Sequence, residues 1–408
     1  MREYLKYLKG DRVIWIITLL MLAFSLVSVY SFVPILVKTA GGTPFKYLFK
    51  HFIYEILAFI AMFWIHKKDP KYFFQISKFG YYLSICILIF TFFFGVRVNS
   101  AGRWVQIPFI NLTFQASDFA KLALILTISR LLVIKKDLLN NWKEGVWPLM
   151  IPIIVICGLI VKDNFSTAAL LFLICFVILF VGKVPFTKLL SIVGGGLGAL
   201  TLVVSIHLLA PSLNLLPRFD TWMHRFESLR VTSTAQAGEN VLMDNAQAMN
   251  AKLAIYNGGF LGQGVGDGKL KEYLPEAYAD FYYSSFVEEF GSVFSIFLVL
   301  LYLILLFRIF QIGLKSESMF ESYVCIGIGV LLLLQASVNM LVCVGIFPVT
   351  GQNMPLLAMG GSALIMTCVA IGIVQSIANK QNKGKNEDDK PSDKNKKDNE
   401  FEPEDKDA

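Results

Sequence analysis

Ten long apolar runs, separated by short segments that gather nearly all the charge, organise this chain up to residue 380. They lie near residues 13–37, 49–66, 79–96, 118–134, 147–161, 165–182, 188–210, 281–307, 320–345 and 355–379. About 20 apolar residues in a helix cross the roughly 30 Å hydrocarbon core of a bilayer, so the pattern predicts an all-α integral membrane protein of about ten transmembrane helices. The fourth, fifth and sixth runs are short. A polar segment, 211–280, separates helices 7 and 8 and is predicted as a large loop. The expected organisation is an N-terminal segment, 1–12, a ten-helix membrane domain, 13–380, and a tail, 381–408. The tail is rich in Lys, Asp, Glu and Asn with almost nothing to bury, which predicts disorder.

Lys and Arg set the orientation. The N-terminal segment and the loops on its side carry sixteen of them, among them Arg2, Lys67, Arg130, Lys183 and Arg308; the opposite short loops carry six, Lys38, Lys46, Lys50, Arg97, Arg103 and Lys162. Both termini are therefore expected in the cytoplasm and 211–280 outside. The first run is too long for a signal peptide and has no small-x-small cleavage site, so it reads as an uncleaved span.

The 408 residues are 55% hydrophobic and 16% charged, a balance that excludes an ordinary soluble domain. The net charge of +7 follows the loops rather than forming a patch, so it is a topology signal and not a nucleic-acid surface. All six cysteines fall in apolar runs without C-x-x-C spacing, and four scattered histidines lack ligand spacing. No disulfide framework or metal site is expected.

Polar residues at the outer membrane mouth carry the candidate chemistry. In the segment before the fourth run, Arg103-Trp104 sets a cation beside an aromatic, suited to a lipid phosphate or to anchoring the loop. Gln115, Ser117 and Asp118 lead into the span, with Lys121 one turn inside. A local reading has Ser117 capping the helix and Asp118 pairing with Lys121 at i, i+3. Ionisable groups at membrane depth are costly, however, and usually face a cavity or pathway. The turn Lys162 to Thr167 reads locally as a solvated turn whose Ser166 or Thr167 caps the next helix.

The glycine-rich stretch 258–268 fails the P-loop pattern at Gln263 and Leu270 and faces away from cytoplasmic nucleotide. It is better read as a tight turn permitting close backbone approach. Beyond it, Tyr273-Leu274-Pro275-Glu276-Ala277 precedes Asp280, where the loop enters a long apolar helix carrying Glu288 and Glu289. Asp280 could complement the helix dipole, but two acids within an apolar span need partners, and Arg103, Lys121 and Lys162 are the basic groups expected nearby. The final outer turn, 347–362, has Pro and Gly breaking the apolar pattern, tolerated where backbone lines a cavity.

Together these blocks resemble the SEDS family of peptidoglycan glycosyltransferases. The carriers are GRW at 102–104 with FQ-x-S-acid-x-x-K at 114–121, the turn ending Ser166-Thr167, the Gly-rich stretch running into YLPEA-x-x-DF and EE-x-G at 288–291, and PVTG with GGS at 348–362. The last block, with Val338-Asn339-Met340, is closer to the FtsW-like branch than to the RodA-like one. The resemblance implies polymerisation of lipid II into glycan strands at the outer face of the bacterial cytoplasmic membrane during cell division. It also implies a class B penicillin-binding protein as transpeptidase partner and other divisome proteins as associates. Asp280 would be the catalytic base. The substrate-binding set would be Arg103, Trp104, Gln115, Ser117, Asp118, Lys121, Lys162, Thr167, Glu276, Glu288, Glu289 and Ser362, with Arg103, Lys121 and Lys162 suiting the diphosphate charge. A divalent cation such as Mg2+ could assist the diphosphate, although no ligand motif provides for it.

The chain departs from the family where Ala116 and Asp118 replace Pro and Glu, where Asn164 replaces Asp, and where Tyr278-Ala279 replaces His-Thr. Asn164 can neither act as an acid nor balance a charge, which leaves it a positioning role. Two competing functions remain at this level: a flippase for a lipid-linked precursor and a non-catalytic divisome scaffold. No inward-facing set of acids and bases matches the outer one, which favours surface chemistry over transport.

Overall fold

The computed structural model describes residues 8–98, 101–107, 112–162, 164–209, 239–274 and 276–388, with residues 219 and 223 besides. Each of the ten apolar runs forms a helix: α1 (Arg12–Ala40), α2 (Pro44–Ile65), α3 (Pro70–Phe94), α4 (Ala116–Ile134), α5 (Trp147–Val161), α6 (Phe165–Val181), α7 (Phe186–Leu209), α9 (Tyr282–Leu314), α10 (Met319–Cys343) and α11 (Gly361–Asp388). Eight of these are long and apolar enough to cross a membrane. The other two are α6, 17 residues long, and α4, which carries Asp118, Lys121 and Arg130. α3 starts nine residues before its expected boundary, at an Asp69-Pro70 start in which the Asp69 carboxylate accepts from Lys71 N at 2.8 Å. α11 runs to Asp388, past the expected end of the membrane domain at residue 380; residues 389–408 lie outside the described residues.

Two elements were not anticipated. β1 (Val96–Val98), β2 (Ala101–Ile107) and β3 (Leu112–Gln115) form an antiparallel sheet in which Trp104 pairs with Gln115. β3 runs directly into α4, so the sheet sets the height at which Ser117 and Asp118 enter the membrane. In the long loop, α8 (Glu239–Gly258) packs along α9, with Ala251 and Ala254 fully buried. Residues 211–218 and 224–238 of the loop lie outside the described residues.

α4 forms the centre of the bundle. Its small Ala116, Ala120 and Ala123 and the run Leu122, Leu124, Ile125, Leu126 and Ile128 are buried, while Thr127 and Ser129 return their hydroxyls to the carbonyls of Ala123 and Ile125, both at 2.7 Å. This local pairing satisfies polar groups where no water is available. Exposed apolar side chains such as Ile16, Phe79, Ile154, Leu202 and Phe307 cover the outer surface, the composition a bilayer requires.

α9 breaks at Gly291, whose φ of 78° and ψ of 175° interrupt the helix. The glycine-rich turn fills the break. Gln263 N donates to Glu288 O at 2.9 Å, Gly264 N to Glu289 O at 3.0 Å, and Ser292 N to Gly259 O at 3.0 Å. A Cβ on Gly258 would lie 2.0 Å from Val287 O, one on Gly262 2.2 Å from Glu289 O, and one on Gly291 2.3 Å from Gly262 N. The glycines are the condition for backbone meeting backbone, as the tight-turn reading expects.

Gly291→Ala should therefore destabilise the protein by about 2 kcal/mol or more, from left-handed strain plus overpacking. Gly158→Ala in α5, where an added Cβ meets nothing within 4 Å, should change stability by less than about 1 kcal/mol. Thermal unfolding in detergent distinguishes the two, and equal melting temperatures for both variants would contradict this account of the break.

Candidate functional site

Asp280 sits in the turn 276–281 that leads into α9. Ala279 N and Asp280 N both donate to Glu276 O, at 2.9 and 3.0 Å, and Glu276 itself has a φ of 54°. The turn is gripped from α10: the Asn339 amide donates to the carbonyls of Ala279 at 3.2 Å, Asp280 at 3.1 Å and Gln352 at 2.9 Å. One buried amide thus ties the Asp280 turn to the strap of residues 344–360. A Cβ on Gly351 would lie 3.7 Å from Asp280 Oδ2, which places the strap's Gly351 beside the carboxylate. Met359 N donates to Tyr278 O at 3.0 Å, a second tie between turn and strap. Burial, reinforced by the charges of Glu276 and Asp280, pushes the Tyr278 phenol up to about 12, so it stays protonated beside them.

The strap, α4 and α6 enclose a polar cavity lined by Gln115, Asp118, Lys121, Thr167, Gln335, Gly351 and Gln352. Lys121 Nζ lies 2.9 Å from Asp118 Oδ1, both side chains being buried. Ser362 donates to Asp118 Oδ2 at 3.0 Å and accepts from Gln115 N at 3.2 Å. Gln352 donates to Thr167 Oγ1 at 2.8 Å, and Asn164 Oδ1 accepts from Thr167 N at 3.1 Å. Four separate outer segments therefore meet through hydrogen bonds, as the sequence pattern suggested. The enclosed volume is only about 20 Å³, room for about one water.

Several expectations need correction. Ser117 does not cap α4: the capping position is Gln115, whose side chain instead donates to Ser117 Oγ at 3.0 Å. Asn164, not Ser166 or Thr167, caps α6, which gives it the positioning role expected. Asp118 and Lys121 form the local i, i+3 pair and also line the cavity. Lys162 is exposed and stands 4.2 Å over the Phe92 ring, so a neighbouring aromatic holds it. Trp104 is half-buried on β2, and the Arg103 side chain lies outside the described residues.

Glu288 and Glu289 find their partners in their own loop. Glu288 Oε1 accepts from Lys269 N at 3.1 Å and Leu270 N at 3.0 Å, at the start of a 3-10 turn, Leu270–Tyr273. Glu289 pairs with Lys271, and Lys271 Nζ also reaches Ser31 O at 3.1 Å, Ser31 Oγ at 2.5 Å and Gly266 O at 3.2 Å. Ser31 donates its hydroxyl to the same carboxylate oxygen. Lys271 is thus the partner, rather than Arg103, Lys121 or Lys162. A signal existed, because two intramembrane acids demand a cation and Lys269 and Lys271 lie in the same loop. Among the described residues no three His, Cys, Asp or Glu side chains gather as a metal site.

Comparison with known proteins follows the same lines. Residues 11–383 match the profile of the FtsW/RodA/SpoVE family, described as cell cycle proteins. The chain is 30% identical over 390 residues to a probable peptidoglycan glycosyltransferase FtsW of Enterococcus hirae, covering 93% of this chain and 95% of the relative. It is 31% identical over 371 residues to the corresponding Haemophilus ducreyi protein, covering 89% and 88%. A chain of a peptidoglycan synthase complex that coordinates polymerization and crosslinking superposes with a TM-score of 0.66 at 23% identity, over 90% of this chain and 97% of that one. Thermus thermophilus rod shape determining protein RodA superposes at 0.59 and 22%, over 90% and 96%. At these identities the structural likeness carries the fold.

Removing one member of the Lys271–Glu289 pair strands a buried charge, so Lys271→Met should cost about 3–5 kcal/mol. Adding Glu289→Leu should recover part of that loss. Unfolding free energies for the two single variants and the double test this, and strictly additive losses would contradict a direct buried pair.

Proposed function

The chain belongs to the FtsW/RodA/SpoVE family of cell cycle proteins, of SEDS type, and from that premise we propose that it is a peptidoglycan glycosyltransferase of cell division. It polymerises lipid II into glycan strands at the outer face of the bacterial cytoplasmic membrane. The observation that carries this reading is the Asp280 carboxylate beside Gly351, which lines the polar cavity, on a turn whose backbone a buried amide holds.

In this reading Asp280 takes the proton of the acceptor sugar's 4-hydroxyl. The resulting oxygen attacks the donor's anomeric carbon, the bond from that carbon to the diphosphate oxygen breaks, and undecaprenyl diphosphate leaves with the electron pair. The proton remains on the carboxyl until the site resets. A positioned general base supplies about 10²–10⁴ in rate. Lys121 brings a positive charge to the cavity, partly balanced by Asp118, and with Gln115, Thr167 and Ser362 would face the polar groups of the substrate. Arg103 and Lys162, at the membrane surface, remain candidates for capturing the diphosphate.

The protein is a multi-pass membrane protein with both termini in the cytoplasm in this proposal, and its partners are a class B penicillin-binding transpeptidase and other divisome proteins. The basic loops on the side of the N-terminus support the orientation.

Purified protein with its transpeptidase partner and lipid II tests the reading. Asp280→Asn should lower glycan polymerisation by at least about 100-fold while the melting temperature holds. Equal polymerisation by wild type and variant would refute the base assignment. Failure of both to polymerise, with labelled lipid II crossing vesicles independently of Asp280, would transfer the protein to the flippase class.

A further inference from the structure

At the far end of the bundle from Asp280, the start of α1 and the ends of α9 and α11 surround a cavity of about 440 Å³. The part of α9 beyond its break at Gly291, residues 292–314, puts roughly 35 Å of helix between the two sites. The cavity is lined by Arg12, Arg308, Gln311, Lys315, Gln381 and Asn382, with Asp11 at its rim. Asp11 is fully engaged. Its carboxylate caps α1, accepting from Val13 N at 2.9 Å and Ile14 N at 3.1 Å, and pairs with Arg308. Arg308 also donates to Gln311 Oε1 at 3.0 Å. The amides brace the walls, Gln381 on Ile312 O at 2.9 Å and Asn382 on Gly10 O at 3.0 Å.

Two cations are left over. Among the described residues neither Arg12 nor Lys315 has an ion pair or a hydrogen-bonded side-chain partner, and both are exposed to the cavity. Arg12 stands at the first position of α1, directly after the Asp11 cap, whose carboxylate is taken up by the helix start and by Arg308. A pocket lined by two cations without ion-pair partners complements a phosphate group. Beside it, Ile16 and Leu19 of α1 and Leu314 of α9 are exposed apolar side chains, a surface for acyl chains.

We propose that this cavity binds the phosphodiester headgroup of an anionic membrane lipid, with Arg12 and Lys315 as its charge partners. The lipid ties together the ends of α1, α9 and α11, of which α9 and α11 begin beside the candidate active site, after Asp280 and at Ser362. The proposal is independent of the glycosyltransferase reading, and its readout is binding.

Intact protein in neutral detergent is titrated with a short-chain phosphatidylglycerol, with phosphatidylcholine of the same chains, or with inorganic phosphate, and its Tm is followed. Phosphatidylglycerol should raise Tm, phosphatidylcholine should not, and the effect should shrink as salt rises from about 0.05 to about 0.5 M. Arg12→Gln and Lys315→Gln should each weaken the apparent affinity about fivefold and together about 25-fold, with Tm unchanged in the absence of lipid. A shift of equal size in the double variant would overturn the proposal, as would one that inorganic phosphate reproduces. If the double variant does not fold, a wild-type shift indifferent to salt overturns it as well. A fall in Tm on deleting residues 389–408 that Arg12→Gln with Lys315→Gln abolishes would assign the cavity to the chain's own acidic tail.

Discussion

An ammonium and a carboxylate, Lys271 and Glu289, sit buried where the outer loop meets the bundle, and the outer architecture depends on their pairing. Either charge alone would be costly in that setting. Paired, and backed by the hydroxyl and carbonyl of Ser31, they join the loop to both α1 and α9. The loop so fixed carries the glycine turn that fills the break at Gly291, and nine residues after Lys271 it carries Asp280. The position of the candidate base is therefore a consequence of an ion pair that never touches it.

The same logic governs the opposite wall. The strap of residues 344–360 has no regular structure, and Leu356 within it adopts a φ of 65°, a strained conformation for a leucine. Its flanking carbonyls are each held by a hydroxyl from a helix, Pro355 O by Tyr302 and Leu357 O by Ser25 at 2.9 Å. Ser25 in turn lies 2.9 Å from His51 Nε2, which faces Glu55 at 3.1 Å. Asn339 closes the arrangement by bonding the strap and the Asp280 turn at once. Irregular backbone at membrane depth persists here because the carbonyls of Gln352, Pro355 and Leu357 each meet a buried donor.

The helices were legible because a bilayer demands runs of apolar residues, a signal that local detail cannot mask. α8 was not, since its mixed composition resembles a loop and its burial comes from packing on α9. The sheet before α4 escaped notice because its short strands alternate weakly around Arg103 and Trp104. In the site, Asp118, Lys121, Thr167 and Ser362 converge as their motifs implied. Lys271 was passed over because it reads as one charge among several in a polar loop, and its burial depends on a contact with α1, 240 residues earlier. Asn339 was visible as a polar residue inside an apolar span, but its grip on two distant carbonyl groups is a fact of three dimensions.

The central claim is that a helix-borne donor fixes the backbone of Asp280 and so holds its carboxylate beside Gly351 of the cavity wall. Steady-state polymerisation of lipid II by Asn339→Leu, close in shape but unable to donate, addresses it directly. The account predicts a fall in kcat of about tenfold or more, from loss of orientation, with KM within about twofold and the fold intact. An unchanged kcat in a folded Asn339→Leu protein would contradict it.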